Sequence, residues 1–252
     1  MTLHNADEYN NPTLYDKENE AHQADVPFLL KWATQQQGII IDLACGTGRA
    51  TIPLAQHGYE LIGVDIHNAM LDEAKKKAEN ANLSVEWIEQ DCSKLQLNMK
   101  SHLIYTVGNS FQHFLTNEAQ DNLLSSVNHH LEVGGIFIFD TRFPSAEELF
   151  QPPTEEYWRS YIDCDSQKKV DVYTISNYDI LNQLQHYTTI RKFENSTEEH
   201  STNITLRYVY PKEMERLLEA NGFTIKHIYQ DWNETPVTND AYAMIYVCEK
   251  IK

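Results

Sequence analysis

Three observations in the 252-residue sequence predict a doubly wound α/β fold. Short apolar runs rich in β-branched residues alternate with helix-period stretches from residue 38 to 140, the rhythm of a mostly parallel sheet covered on both faces. The first of these runs flows into a small-residue turn, Ala44-Cys45-Gly46-Thr47-Gly48, that opens a helix. The last two apolar runs, 223–229 and 241–249, are joined by a link too short for a crossover helix, so they form an antiparallel hairpin at the end of the chain.

Taken in order, residues 1–20 are polar and turn-rich, and a helix follows over about 19–36, where Ala24, Phe28, Leu29, Trp32 and Ala33 make an apolar stripe. Residues 38–43 are the first strand. The helix after the turn carries Ala50, Leu54 and Ala55 and stops at Gly58, and Pro53 requires its first turn to be short or irregular. Residues 60–64 are the second strand, ending in Asp65. Asn68 caps a helix running to about Asn80; 85–89 and 102–107 are the third and fourth strands. Thr116 caps a helix with Leu123, Leu124, Val127 and Leu131 inward, Gly134 and Gly135 end it, and 136–139 is the fifth strand. Pro144, Pro152 and Pro153 then interrupt the pattern, and 170–180, 184–193 and 202–210 alternate at period two, an antiparallel meander inserted after the fifth strand. Pro211 opens a last helix, with Met214, Leu217 and Leu218 inward and Gly222 as its stop. The division expected is an N-terminal lid segment and helix (1–37), a core (38–140 with 211–252) and an inserted β cap (141–210).

The glycine turn is where a ligand meets the sheet. Gly46 and Gly48 admit backbone conformations closed to other residues, and the helix start beyond them offers unpaired N–H groups. Asp65 lies near the spacing at which a carboxylate takes the two hydroxyls of a ribose, so the ligand contains a nucleoside. A pyrophosphate is disfavoured, because the third glycine of a dinucleotide loop is missing and Asp42 would repel phosphate. An acid there suits a cation.

With these residues the chain resembles the class I S-adenosylmethionine-dependent methyltransferases, over about residues 38–140 and more weakly 211–250. The resemblance implies a Rossmann-like seven-stranded sheet and S-adenosyl-L-methionine as cofactor. It places Asp42, Ala44, Cys45, Gly46 and Gly48 at the methionine part, Asp65 at the ribose and Asp91 near the adenine amino group, counts Ile66, Cys92, Val107 and Gly108 among the cofactor-binding residues, and sets the segment from Val107 at the reacting centre. Ala44 departs from the glycine more common there. By the same resemblance the leading segment folds over the cofactor, and Tyr15 is its candidate contact, ahead of Tyr9.

Composition narrows the partners. With a net charge of −17 and one dense basic run, Lys75-Lys76-Lys77, flanked by acids, no nucleic-acid substrate is expected. No apolar stretch approaches bilayer length and the start lacks the pattern of a targeting signal, so a cytoplasmic location without membrane contact is expected. Four scattered cysteines, Cys45, Cys92, Cys164 and Cys248, suggest neither a zinc site nor disulfides, and Cys45 reads as a packing residue. No spacing argues for a metal, and His129 and His130 point apart on a helix.

Methyl transfer from a sulfonium needs alignment more than acid or base chemistry, and holding two reactants in line supplies on the order of 7–11 kcal/mol. Val107 to Phe114 is the segment facing the reacting centre. There His113 is the imidazole whose ordinary pKa suits proton removal, and it either contacts the acceptor or only packs the start of the next helix. Trp158 and Tyr161 are candidates for an acceptor wall. The expected activity is methylation of a small molecule, nitrogen favoured slightly over oxygen, by similarity to sugar-amine and glycine-type enzymes. Two readings stay open beside it: a nicotinamide-dependent oxidoreductase, and a non-catalytic nucleoside-binding protein.

Overall fold

The structure is a computed structural model that describes residues 5, 7–163, 166–197 and 199–251. Part of the expected lid, residues 1–4 and 6, and the third cysteine, Cys164, lie outside the described residues.

A seven-stranded sheet runs in the order β3-β2-β1-β4-β5-β11-β10. Its strands are β1 (Ile40–Leu43), β2 (Leu61–Asp65), β3 (Glu86–Glu89), β4 (Ser101–Thr106), β5 (Leu131–Arg142), β10 (Phe223–Tyr229) and β11 (Ala243–Lys250). The first five are parallel, and β11 pairs antiparallel with both β5 and β10. A second antiparallel sheet, in the order β6-β7-β8-β9, is inserted after β5: β6 (Glu156–Ile162), β7 (Lys169–Asp179), β8 (Leu184–Phe193) and β9 (Glu199–Arg207).

Alternate residues of the central strands feed two apolar layers. Ile41, Leu43, Phe137 and Phe139 pack with Leu123 and Leu124 of α5 (Asn117–His130) and Met214 and Leu218 of α7 (Pro211–Ala220). On the other face Ile40, Leu103 and Ile138 meet Phe28 and Leu29 of α2 (Asp25–Ala33) and Leu54 of α3 (Thr51–Gln56). Burying such side chains at roughly 25 cal/mol per Å² stabilises the sheet and leaves its carboxyl edge free for chemistry. Among the described residues no helix is long and apolar enough to cross a membrane.

Local differences from the sequence reading have physical causes. The expected helix over 19–36 is the shorter α2, and a separate helix, α1 (Pro12–Asn19), forms in the stretch expected to be turn-rich, where Asn11 caps it by accepting from the Leu14 N–H. Helix α4 (Asn68–Asn80) has His67, not Asn68, at its cap position. Helix α5 ends at His130, ahead of Gly134 and Gly135, which fall inside the irregular start of β5. Strand β6 and the short α6 (Ala146–Leu149) lie where only loop was expected. Pro53 is tolerated because α3 is only six residues long and the proline sits in its first turn.

Candidate active site

The carboxyl ends of β1, β2, β4 and β5 converge on the glycine turn. The backbone there is left-handed at Ala44 (φ 54°), Gly46 (φ 55°) and Gly48 (φ 79°). For an alanine that conformation costs on the order of 1–2 kcal/mol, which makes the departure from glycine at residue 44 a point of stored strain. A Cβ on Gly48 would come within 2.8 Å of the Trp87 ring, and one on Gly63 within 2.5 Å of it, so both glycines are also fixed by packing.

Asp65 ends β2 and is 6% exposed. Its Oδ2 accepts from the Gly46 N–H at 2.8 Å and its Oδ1 from the His67 N–H at 2.8 Å. Burial pushes this carboxyl up, and the two backbone donors hold it back. Glycine turn and acid are thus one unit: the acid that would meet a ribose also fixes Gly46. Asp91 caps a short 3-10 turn, accepting from Ser93 N–H at 3.0 Å and Ser93 Oγ at 2.8 Å, and these bonds outweigh burial to hold its carboxyl low.

Asp42 is almost fully buried. Thr51 Oγ1 donates to its Oδ2 at 2.6 Å, while Oδ1 and the hydroxyl of its register neighbour Tyr105 complete no hydrogen bond among the described residues. Burial pushes the Asp42 carboxyl up to about 7. A second buried carboxylate, Asp140 at the end of β5, is likewise pushed up to about 7 by burial; its Oδ1 accepts from the Asn109 N–H at 3.1 Å. Both groups are neutral more readily in the fold than in water, so they stabilise it at low pH and cease to do so as pH rises through about 7. Asp42→Asn keeps the Thr51 bond and removes the charge. It is therefore expected to stabilise the protein at pH 8 by up to about 4 kcal/mol, and by much less at pH 5, in urea unfolding at the two pH values.

The leading segment lies against this edge. Asp16 of α1 accepts from Thr47 Oγ1 at 2.5 Å and pairs with Lys77 at 2.7 Å; Arg49 in the turn grips Asp25 at 2.8 and 2.5 Å. Tyr9 sits between His67 and His113, with ring centroids 5.4 and 5.6 Å away, and Tyr15 is 5.7 Å from Tyr9. Burial raises the pKa of both tyrosines, so they act as neutral phenols.

His113 is 4% exposed and both ring nitrogens are engaged, Nδ1 with Asn5 Nδ2 at 2.9 Å and Nε2 with the Tyr9 hydroxyl at 2.8 Å. Asn5 is oriented by Thr205, whose N–H donates to its Oδ1 and whose carbonyl accepts from its Nδ2. The amide N–H therefore faces Nδ1, and the imidazole proton sits on Nε2, directed at Tyr9. Burial lowers the His113 pKa to about 3, far from the neutral value its residue type suggests. In this setting the ring is a neutral hydrogen-bonding group.

Of the remaining candidates, Ala44 and Cys45 open the turn, Ile66 follows Asp65, and Val107 and Gly108 follow β4. Gly108 (φ 74°) has open space where a Cβ would lie. Cys45 and Cys92 are buried thiols whose pKa burial pushes up, Cys92 to about 12, which suits packing and not nucleophilic chemistry. Trp158 is 54% exposed, with the Arg159 guanidinium 4.4 Å over its ring. Four residues here escape sequence reasoning: Asn5, Asp25, Thr51 and Asp140. Only Asp140 had a signal, an acid at the end of an apolar strand.

These features fit a sulfonium nucleoside. The acids Asp42, Asp65, Asp91 and Asp140 lie at or near strand ends, an orphaned oxygen of Asp42 is buried beside the turn, and open space lies where a Cβ on Gly108 would be. Residues 40–135 match the family described as methyltransferase domain. The chain is 22% identical over 235 residues to a putative methyltransferase, YqeM, of Bacillus subtilis (strain 168), covering 88% of this chain and 89% of that protein. It is 24% identical over 213 residues to glycine/sarcosine N-methyltransferase of Aphanothece halophytica, covering 84% and 76%. Its structure superposes with a TM-score of 0.79 on an S-adenosylmethionine-dependent methyltransferase from Clostridium acetobutylicum ATCC 824, at 21% identity and covering 94% and 96% of the two chains. The architecture is that of the class I methyltransferases. Residues 40–135 carry the methyltransferase domain, and the chain is an S-adenosylmethionine-dependent methyltransferase with S-adenosyl-L-methionine as its cofactor.

Proposed function

We propose that the chain methylates a nitrogen atom of a small amine acceptor. The observation that carries this reading is Asp140: a carboxylate 6% exposed, at the strand end next to Gly108 and Asn109, with one backbone N–H as its hydrogen-bond partner among the described residues. The neighbouring guanidiniums are committed elsewhere, Arg49 to Asp25 and Arg142 to Glu148 at 3.0 Å. A buried acid without a cation is costly, and an alkylammonium supplies one. The N-methyltransferase name of one full-length relative agrees with this chemistry.

In this reading residues 1–37 act as lid, the sheet holds the cofactor and the insert over 141–210 walls the acceptor. Asp65 takes the ribose hydroxyls, Asp91 the adenine end, and Ala44, Cys45, Gly46 and Gly48 the methionine part beside Asp42. When bound, S-adenosylmethionine supplies an electrophilic methyl group. The chain then has to align the acceptor, which Gly108 and the neutral Tyr9–His113 pair do, and Tyr15 with the rest of the lid keeps water out. Asp140 holds the ammonium and receives its proton, since its raised pKa suits a base near neutrality.

Calorimetric titration with S-adenosylhomocysteine and with NAD, followed by methyl transfer to a panel of primary and secondary amines and phenols, tests the reading. Binding of the first compound only, with amines methylated, is expected; transfer to phenols alone would refute the nitrogen assignment. Asp140→Asn retains the Asn109 bond and is expected to lower kcat/KM for an amine about 10–1000-fold while leaving S-adenosylhomocysteine affinity within a factor of about three.

A further inference from the structure

Among the described residues Arg191 is the largest fully buried side chain, 2% exposed in the middle of the inserted sheet, far along the chain from the glycine turn. All three nitrogens of its planar fork are engaged. Nε and Nη2 donate to the two oxygens of Glu18 on α1 at 2.7 and 2.8 Å, Nη1 donates to Thr202 Oγ1 on β9 at 2.8 Å, and Nη2 reaches Glu8 at 3.1 Å. Thr202 closes the ring by donating to Glu8 at 2.5 Å. Two of the three residues it grips belong to the leading segment, and both neighbour the site: Glu8 precedes Tyr9 in the chain, and Glu18 lies one helical turn beyond Tyr15. The third, Thr202, is on the strand whose Thr205 orients Asn5 against His113.

From this geometry we infer that Arg191 is a positioning residue of the active site: by tying the leading segment to β8 and β9 it seats the Tyr9 hydroxyl on His113. The lid is docked on the core by contacts at the glycine turn, but its register at Tyr9 is set from the insert. A bidentate arginine–carboxylate pair in a low-dielectric setting has one narrow geometry, and a displacement of the fork is passed directly to the residue beside each carboxylate. Lysine keeps the charge and loses the fork. The inference rests on the proposed reading that the Tyr9–His113 pair faces the acceptor, yet the contact itself is measurable without cofactor or acceptor.

The test is nuclear magnetic resonance of the full chain with isotope-labelled histidine, in the parent, in Arg191→Met, in Arg191→Lys and in the double change Arg191→Met with Glu18→Leu. The parent is expected to show His113 protonated on Nε2 and hydrogen-bonded through both nitrogens. Arg191→Met loses that signature and Arg191→Lys retains part of it. Leaving Glu18 buried with only Arg159, at 3.4 Å, as its cation could prevent the single variant from folding; the double variant removes both charges of the Arg191–Glu18 pair and decides the question in that event. A folded Arg191→Met or double variant whose His113 signal is that of the parent overturns the inference. Failure of the parent to bind S-adenosylhomocysteine would instead refute the methyltransferase site, a separate result from a separate measurement.

Discussion

Asp65→Ala is expected to raise the dissociation constant for S-adenosylhomocysteine by about 100-fold or more. The argument has two parts. A carboxylate that receives two ribose hydroxyls makes charge-assisted hydrogen bonds, each worth roughly 1.5–3 kcal/mol, and alanine removes both. The same carboxylate holds the Gly46 and His67 N–H groups at 2.8 Å, so its loss also frees the glycine turn from the end of β2. Asp65→Asn separates the two effects. It keeps one acceptor oxygen and is expected to fall between parent and alanine. Calorimetry on each variant, with unfolding curves to confirm an intact core, reads the result; an affinity within a factor of about three of the parent would mean that the nucleoside does not lie against β2. The outcome also bears on Ala44 and Gly46. Ala44 keeps its left-handed backbone against its strain only while the surrounding contacts hold it, and Asp65 is the acceptor that fixes Gly46 two residues on.

The elements that sequence reveals best are those whose burial pattern is simple. Strands β1, β2, β4 and β5 are apolar because both faces are covered, and Thr116 announces α5 by a cap that the structure completes, accepting from the Ala119 N–H at 3.1 Å. The glycine turn and Asp65 were legible for a related reason: backbone freedom and a strand-end acid are local properties. Strand β8 was legible as a strand but not as a surface. Its buried face carries Gln185, Tyr187, Thr189 and Arg191, while Ile190 points to the more open side, so the pattern that normally marks the core is inverted. Such a face is buried only because the leading segment and β9 supply its hydrogen-bond partners, and those come from more than 170 residues away in the case of Glu18 and Arg191. The same distance hid Asn5, a polar residue in a polar stretch with nothing in its neighbours to link it to His113. The pKa of that histidine was hidden too, since it follows from burial and not from residue type.

Glu18→Leu is expected to destabilise the fold by about 3–5 kcal/mol at pH 7. The Glu18 carboxylate and the Arg191 guanidinium are both nearly inaccessible, with side-chain exposures of 4% and 2%. Removing one leaves the other charged and desolvated. Glu8 at 3.1 Å compensates only in part, because it reaches a single nitrogen of the fork. Replacing both partners, as in Arg191→Met with Glu18→Leu, takes the uncompensated charge away and is expected to recover most of the loss. The pH dependence separates this mechanism from simple overpacking. Burial alone would push the Glu18 carboxyl up, but the hydrogen bonds and charge of Arg191 outweigh it and hold it below the usual range. Its contribution is therefore complete above the ordinary glutamate pKa and disappears as pH falls through the depressed value. The gap between parent and Glu18→Leu should narrow in urea unfolding as pH is lowered from 7 toward 3. Asp42 and Asp140 act with the opposite sign, since their neutral forms are favoured in the fold and their contribution fades as pH rises through about 7. The two effects together place the stability maximum on the acidic side of neutrality, and in Asp42→Asn that maximum moves to higher pH.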